Sequence, residues 1–100
     1  MNDIEKKVHH PTYYNDENRK ECWDEIRDIF GREIQFGFLI GTAYKYSYRA
    51  GKKEGNPKEQ DIAKIREYLK KARSGNLTMF EGDMILIMEQ ILKKEGISIE

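Results

Sequence analysis

Cysteine is almost missing from this 100-residue sequence. Its one instance, Cys22, can neither close an internal disulfide nor pair with a second thiol to hold zinc. That excludes a disulfide-stapled scaffold and fits a reducing cytosol. Proline occurs only at Pro11 and Pro57, so there is no proline-rich linker. No apolar run approaches the ~20 residues that cross a bilayer, and the start (Met1, Asn2, Asp3, Ile4, Glu5, Lys6, Lys7) lacks the apolar stretch of a signal peptide. A soluble, cytoplasmic protein with no membrane partner is expected. The phosphate-loop pattern Gly-x-x-x-x-Gly-Lys-Ser/Thr is absent too, and Gly51, Lys52, Lys53, Glu54, Gly55 does not supply it.

Net charge is zero, with 18 basic and 18 acidic side chains, but the charges are unevenly placed. Residues 1–40 sum to −3, residues 41–73 to +6 and residues 74–100 to −3. A basic centre between acidic flanks points to a confined anion site and argues against nonspecific nucleic-acid binding. Apolar residues are 38% and charged residues 36% of the chain. A core this thin suggests help from neighbouring copies, so a homo-oligomer is expected.

Turn residues divide the chain into an extended N-terminal arm, residues 1–15, and one helical domain, residues 16–100. The expected fold is all-α, a compact bundle of about four helices. The first should start near Asn15 or Asp16, set Cys22 or Trp23, Ile26 and Ile29 or Phe30 on one face, and stop at Gly31. The second should run from about Ile34 to Ala50. The third has Asn56 as its cap, Pro57 in its first position and Glu59 three residues after the cap, with Ile62, Ile65, Leu69 and Ala72 facing the core. The fourth, residues 78–95, opens with the capping pair Thr78 and Glu81 and carries Phe80, Met84, Ile87, Met88, Ile91 and Leu92.

At 100° per residue, the second helix sorts into three lines. Phe36, Ile40, Ala43, Ser47 and Ala50 form an apolar seam. Gly37, Gly41, Tyr44 and Tyr48 form a second line, whose glycines each cost about 1 kcal/mol in helix propensity and imply close approach of another element. Thr42, Lys45, Tyr46 and Arg49, continued past the helix by Lys52 and Lys53, form a basic and aromatic line. Such a line suits a phosphate and a flat base: arginine offers a forked donor to phosphate oxygens, lysine a mobile charge, and a tyrosine ring a stacking surface. A plain solvated basic face is the alternative. The arm adds His9, His10, Tyr13 and Tyr14, which could close over a base or simply anchor the arm. Glu17, Glu21, Asp24 and Asp28 share one face of the first helix; with Arg19, Lys20 and Arg27 between them, a solvated face is favoured over a magnesium site. No catalytic and no metal-binding set is assigned.

His10-Pro11 followed by Tyr14, Glu21-Cys22, Gly41-Thr42-Ala43-Tyr44-Lys45-Tyr46 with Arg49, Gly51 and Lys53, then Asp61-Ile62, Lys64 and Tyr68-Leu69, together resemble the SaV-like family of small bacteriophage proteins. The resemblance covers about residues 9–73 and leaves out the last helix. Members are often labelled nucleotide-kinase-like, and the resemblance implies nucleotide handling by His10, Tyr14, Lys45, Tyr46, Arg49, Lys53 and Asp61. Thr42 stands where the family usually shows asparagine. The bacterial host cytoplasm is then the expected location.

Three functions follow from these readings. The first is an oligomeric binding protein that captures a nucleotide or nucleotide-derived, even cyclic, signal, the phage context suggesting sequestration of an antiphage-defence messenger. No cofactor is needed for it. The second is an enzyme, a nucleoside monophosphate kinase without a phosphate loop or a magnesium-dependent nucleotide hydrolase, with magnesium required only here. The third is a protein-binding inhibitor of a host enzyme. The absence of a recognisable catalytic set favours the first.

Overall fold

Four helices account for the regular structure of the computed structural model, which describes residues 20–52 and 54–99. They are α1 (Cys22–Phe30), α2 (Arg32–Arg49), α3 (Lys58–Arg73) and α4 (Met79–Lys94), and the described residues contain no strand. The chain is therefore an all-α bundle. The arm, with His9, His10, Tyr13 and Tyr14, lies outside the described residues, as does Lys53.

The long α2 is the centre of the bundle and packs on each of the other three helices. Its expected seam is buried: Ala43 is fully inaccessible, Phe36 and Ser47 are buried, and Ile40 and Ala50 are half-buried. Two further residues, Gln35 and Leu39, join them. The core forms two adjoining clusters. One gathers Ala43, Ile65, Leu69, Met88, Leu92 and Ile97, and the other Phe36, Leu39, Ala72 and Ile85. All four α3 positions expected to face inward do so, with Ile65 and Leu69 wholly buried and Ile62 at the margin.

The first helix is shorter than its sequence suggests. Lys20 is not helical, and Glu21, with φ −62° and ψ 151°, is the extended residue that precedes α1. A continuous helix from residue 15 or 16 is thus overturned at residues 20 and 21. The expected apolar face buries only in part: Trp23 and Ile26 are half-buried, whereas Ile29 and Phe30 are exposed and Cys22 lies at the surface rather than in the core. Only Trp23 packs against the Phe36 cluster. The reason is geometric, because nine residues give α1 two and a half turns and only one end of it meets α2. That end is fastened by Gln35, whose Nε2 donates to the Trp23 carbonyl at 3.0 Å. Gly31, with φ 98°, makes the sharp break between α1 and α2 that an L side chain would resist.

Helix α3 begins at Lys58 with Pro57 in the cap position and no side-chain cap, so Asn56 is not the cap. A carboxylate in the first turn of the same helix takes its side chain instead: Asn56 Nδ2 donates to Asp61 Oδ2 at 2.8 Å. The capping box of α4 forms as expected. The Glu81 amide donates to Thr78 Oγ1 at 3.1 Å and the Thr78 amide to Glu81 Oε1 at 2.9 Å. The buried face of α4, however, is Glu81, Ile85, Met88 and Leu92, which leaves Phe80 67% and Ile87 47% exposed. Helix α4 is apolar on more than one side, so periodicity alone does not choose its rotation. Arg32 chooses it by donating from Nε and Nη2 to the Glu81 carboxylate at 3.2 and 3.0 Å, which draws position 81 inward. The helix ends in a Schellman motif, the Ile97 amide donating to the Leu92 carbonyl at 2.9 Å across Gly96. Ile97 is thereby folded onto the core, and Arg66 Nε holds the Ile99 carbonyl at 2.9 Å.

Candidate functional site

The basic and aromatic line of α2 lies along the seam where α2 meets α3. On α3, Asp61, Lys64, Tyr68 and Lys71 recur at helical spacing and form the other lip. Tyr46 and Tyr68 stack across the seam, with ring centroids 6.0 Å apart and planes 22° from parallel. Lys45 Nζ lies 4.6 Å and Arg49 Cζ 4.7 Å from the centre of the Tyr46 ring. Further along, Lys71 Nζ stands 5.2 Å from the Tyr68 ring and 5.3 Å from the Trp23 ring. Phe38 meets the edge of Tyr68 at 6.2 Å. Cations and rings thus alternate from Arg49 to Trp23, each desolvated contact of this kind contributing about 0.5–2 kcal/mol.

The arginine in this row is held from below. Asp61 is 1% exposed, and one of its carboxylate oxygens accepts from Arg49 Nε at 3.1 Å while the other accepts from Asn56 Nδ2. A buried carboxylate with both oxygens engaged faces inward, so Asp61 fixes Arg49 rather than presenting itself to a ligand. Asp61 takes Nε and leaves the two Nη groups. Among the described residues they make no hydrogen bond, and Lys45 makes no ion pair. Lys45 thus carries a charge with no ion pair among the described residues, and Arg49, paired through Nε, keeps its Nη donors.

The other expected residues distribute themselves differently. Thr42 is half-buried on α2 in the same line, without a side-chain hydrogen bond to any described residue. Lys52 turns away from Tyr46, and its Nζ lies 5.0 Å from the centre of the Tyr48 ring, on the glycine line. His10, Tyr13, Tyr14 and Lys53 fall outside the described residues. Asn56, Tyr68, Lys71 and Trp23 also meet here, although pattern reading assigned them other places: a cap, a motif position, part of the basic region of the third helix and a helix face. A signal for Tyr68 existed, since it stands three residues after Ile65 on the face of α3 that packs inward. The contact between Lys71 and Trp23 had none, as it joins helices 48 positions apart in sequence.

Elsewhere, the glycine line is open: among the described residues, no other element lies within 4 Å of the Cβ positions of Gly37 or Gly41. Tyr44 and Tyr48 on that line are exposed, with rings 6.5 Å apart. No described element makes the close approach that the glycines led us to expect. A cavity of about 490 Å³ sits between the ends of α3 and α4, lined in part by Arg73, Glu89, Lys93 and residues 97–99. It borders none of the seam residues. No group of three or more metal-ligating side chains occurs among the described residues, and Asp28 of the acidic face is paired with Lys20 at 2.7 Å. No described helix is long and apolar enough to cross a membrane.

Over residues 8–70 the chain matches a family whose description is protein of unknown function, DUF3310. It belongs to the DUF3310 family. That match takes in α1, α2 and most of α3, hence both lips of the seam, and stops before α4. No curated protein and no solved structure matches the chain.

Proposed function

We propose that this DUF3310 protein is a binding protein for a nucleotide or nucleotide-derived ligand, held along the α2 and α3 seam without chemical change. The observation that carries this reading is the Arg49 guanidinium, fastened through Nε by a buried carboxylate and set with Lys45 against the Tyr46 ring. Two cations beside a ring form an arrangement suited to phosphate oxygens, and Lys64 extends the positive lip, whereas Lys71 is paired with Glu67 at 3.2 Å. Release or capture of a cyclic nucleotide signal falls within the same chemistry.

The reading includes assembly into a homo-oligomer. What supports it is the apolar surface exposed among the described residues: Ile29, Phe30, Ile34, Met79 and Phe80 are each more than half exposed. Sedimentation velocity across a hundredfold range of concentration tests this, and an unchanging monomer refutes it.

Isothermal titration with mononucleotides, cyclic dinucleotides and ADP-ribose derivatives tests the function. Saturable heat with at least one of them, lost in Arg49→Ala, is the expected result. Silence from the whole panel refutes the reading. Mass analysis of the ligand recovered after incubation with magnesium separates holding from turnover, and a chemically altered ligand would make the protein an enzyme.

A further inference from the structure

Nucleotides present two recognisable parts, a charged phosphate chain and a flat base, and the seam is unequally equipped for them. The Tyr46 ring is already occupied by Tyr68, stacked on it at 6.0 Å, and by two cations within 4.7 Å of its centre. Tyr68 is likewise engaged by Tyr46, by the edge of Phe38 and by Lys71. Trp23 carries Lys71 near its ring, and its Nε1 donates to Glu21. A base stacking on any of the three would have to displace a neighbour that already gains from the contact, so little net stacking energy remains for it. For phosphate, Lys45 has no ion pair among the described residues, and Arg49, whose Nε is paired with Asp61, still has two Nη groups without a hydrogen bond to any described residue. Lys64, between Asp61 and Tyr68 on the facing lip, has only a 3.8 Å contact with Glu67 across an exposed turn.

We infer that the seam reads phosphate number and not base identity, so that its ligand class is the di- and polyphosphates, with the nucleoside left outside the grip. This rests on the nucleotide-binding reading and sharpens it. The aromatic rings serve as a rigid platform that sets the spacing of the cations. Asp61 and Asn56 complete that platform by fixing Arg49 before any ligand arrives, which lowers the ordering cost of binding.

The test is a calorimetric series on the full chain with inorganic pyrophosphate, AMP, ATP, GTP, CTP and adenosine at one salt concentration. The expected result is that ATP, GTP and CTP bind within about threefold of one another, that pyrophosphate displaces ATP, that AMP binds on the order of tenfold more weakly, and that adenosine gives no heat. Lys45→Gln, an exposed position that leaves the fold intact, should weaken pyrophosphate by about tenfold. Arg49→Lys, which keeps the charge and loses the fork, should weaken it comparably while circular dichroism stays unchanged. A tenfold or larger preference among the three triphosphates, or ATP binding that pyrophosphate cannot displace, overturns the inference and leaves the nucleotide reading standing. Silence from every probe, set beside silence from the wider nucleotide panel, overturns both.

Discussion

Removing either partner of the Arg49 and Asp61 pair should destabilise the protein unequally, because the two partners are buried to different depths. The Arg49 side chain is 33% exposed and that of Asp61 1%. Arg49→Ala strands a carboxylate in the core edge with only the Asn56 amide to satisfy it, and a stranded buried charge costs several kcal/mol when nothing can rehydrate it. With Asn56 still in place, about 2–3 kcal/mol is the reasonable figure. Asp61→Asn leaves a guanidinium that can turn into water and keeps an amide oxygen to accept from Nε, so its cost should be about 1 kcal/mol. At about 4–8 °C per kcal/mol for a domain of this size, Arg49→Ala should lower Tm by roughly 10–20 °C and Asp61→Asn by about 5 °C. The double variant should cost clearly less than the two singles together, since the second change removes the group the first left unpaired. Thermal unfolding followed by circular dichroism measures all three. If Asp61→Asn proves the more damaging, or the singles are additive, Asp61 does not hold Arg49 in the way the distances indicate.

The Arg32 and Glu81 contact sets a pH dependence. The hydrogen bonds from Arg32 first, and then from the Thr78 backbone amide, hold the Glu81 carboxyl below its ordinary range. A carboxyl lowered on folding contributes its stability fully above the unfolded value of about 4.3 and loses it as pH falls through the folded value. Wild type should therefore exceed Glu81→Gln in Tm at pH 7, and the gap should close below about pH 4; a gap that persists into acid would contradict this. Thr78→Ala removes the hydroxyl that accepts the Glu81 amide and should cost about 1 kcal/mol, visible as a drop in Tm of about 4–8 °C. Gly41→Ala meets no other element within 4 Å among the described residues and should raise the unfolding free energy of the monomer by up to about 1 kcal/mol in a urea titration; destabilisation at high dilution would mean that some element does approach there.

Local chemistry accounts for what was legible in the residues alone. Spacing of apolar side chains placed the inner face of α3 and most of the buried face of α2, missing Leu39 and Gln35 there because α2 carries apolar side chains on several sides. Thr78 and Glu81 announced the start of α4 because a capping box closes within four residues. The line Lys45, Tyr46 and Arg49 was visible for the same reason, one helix face being a matter of angle. Contacts between distant segments decided the rest. Asn56 looked like a cap, yet it was drawn to a carboxylate that only the packing of α3 against α2 could bury. The rotation of α4 depended on Arg32, 49 positions from Glu81, and the exposure of Ile29 and Phe30 depended on how little of α1 reaches the core. Asp61 changed most: its place in the motif suggested a ligand contact, and its burial makes it the anchor of the residue beside it. A pattern along the chain can state which side chains share a face, but which face is covered, and by what, is settled only when the helices meet.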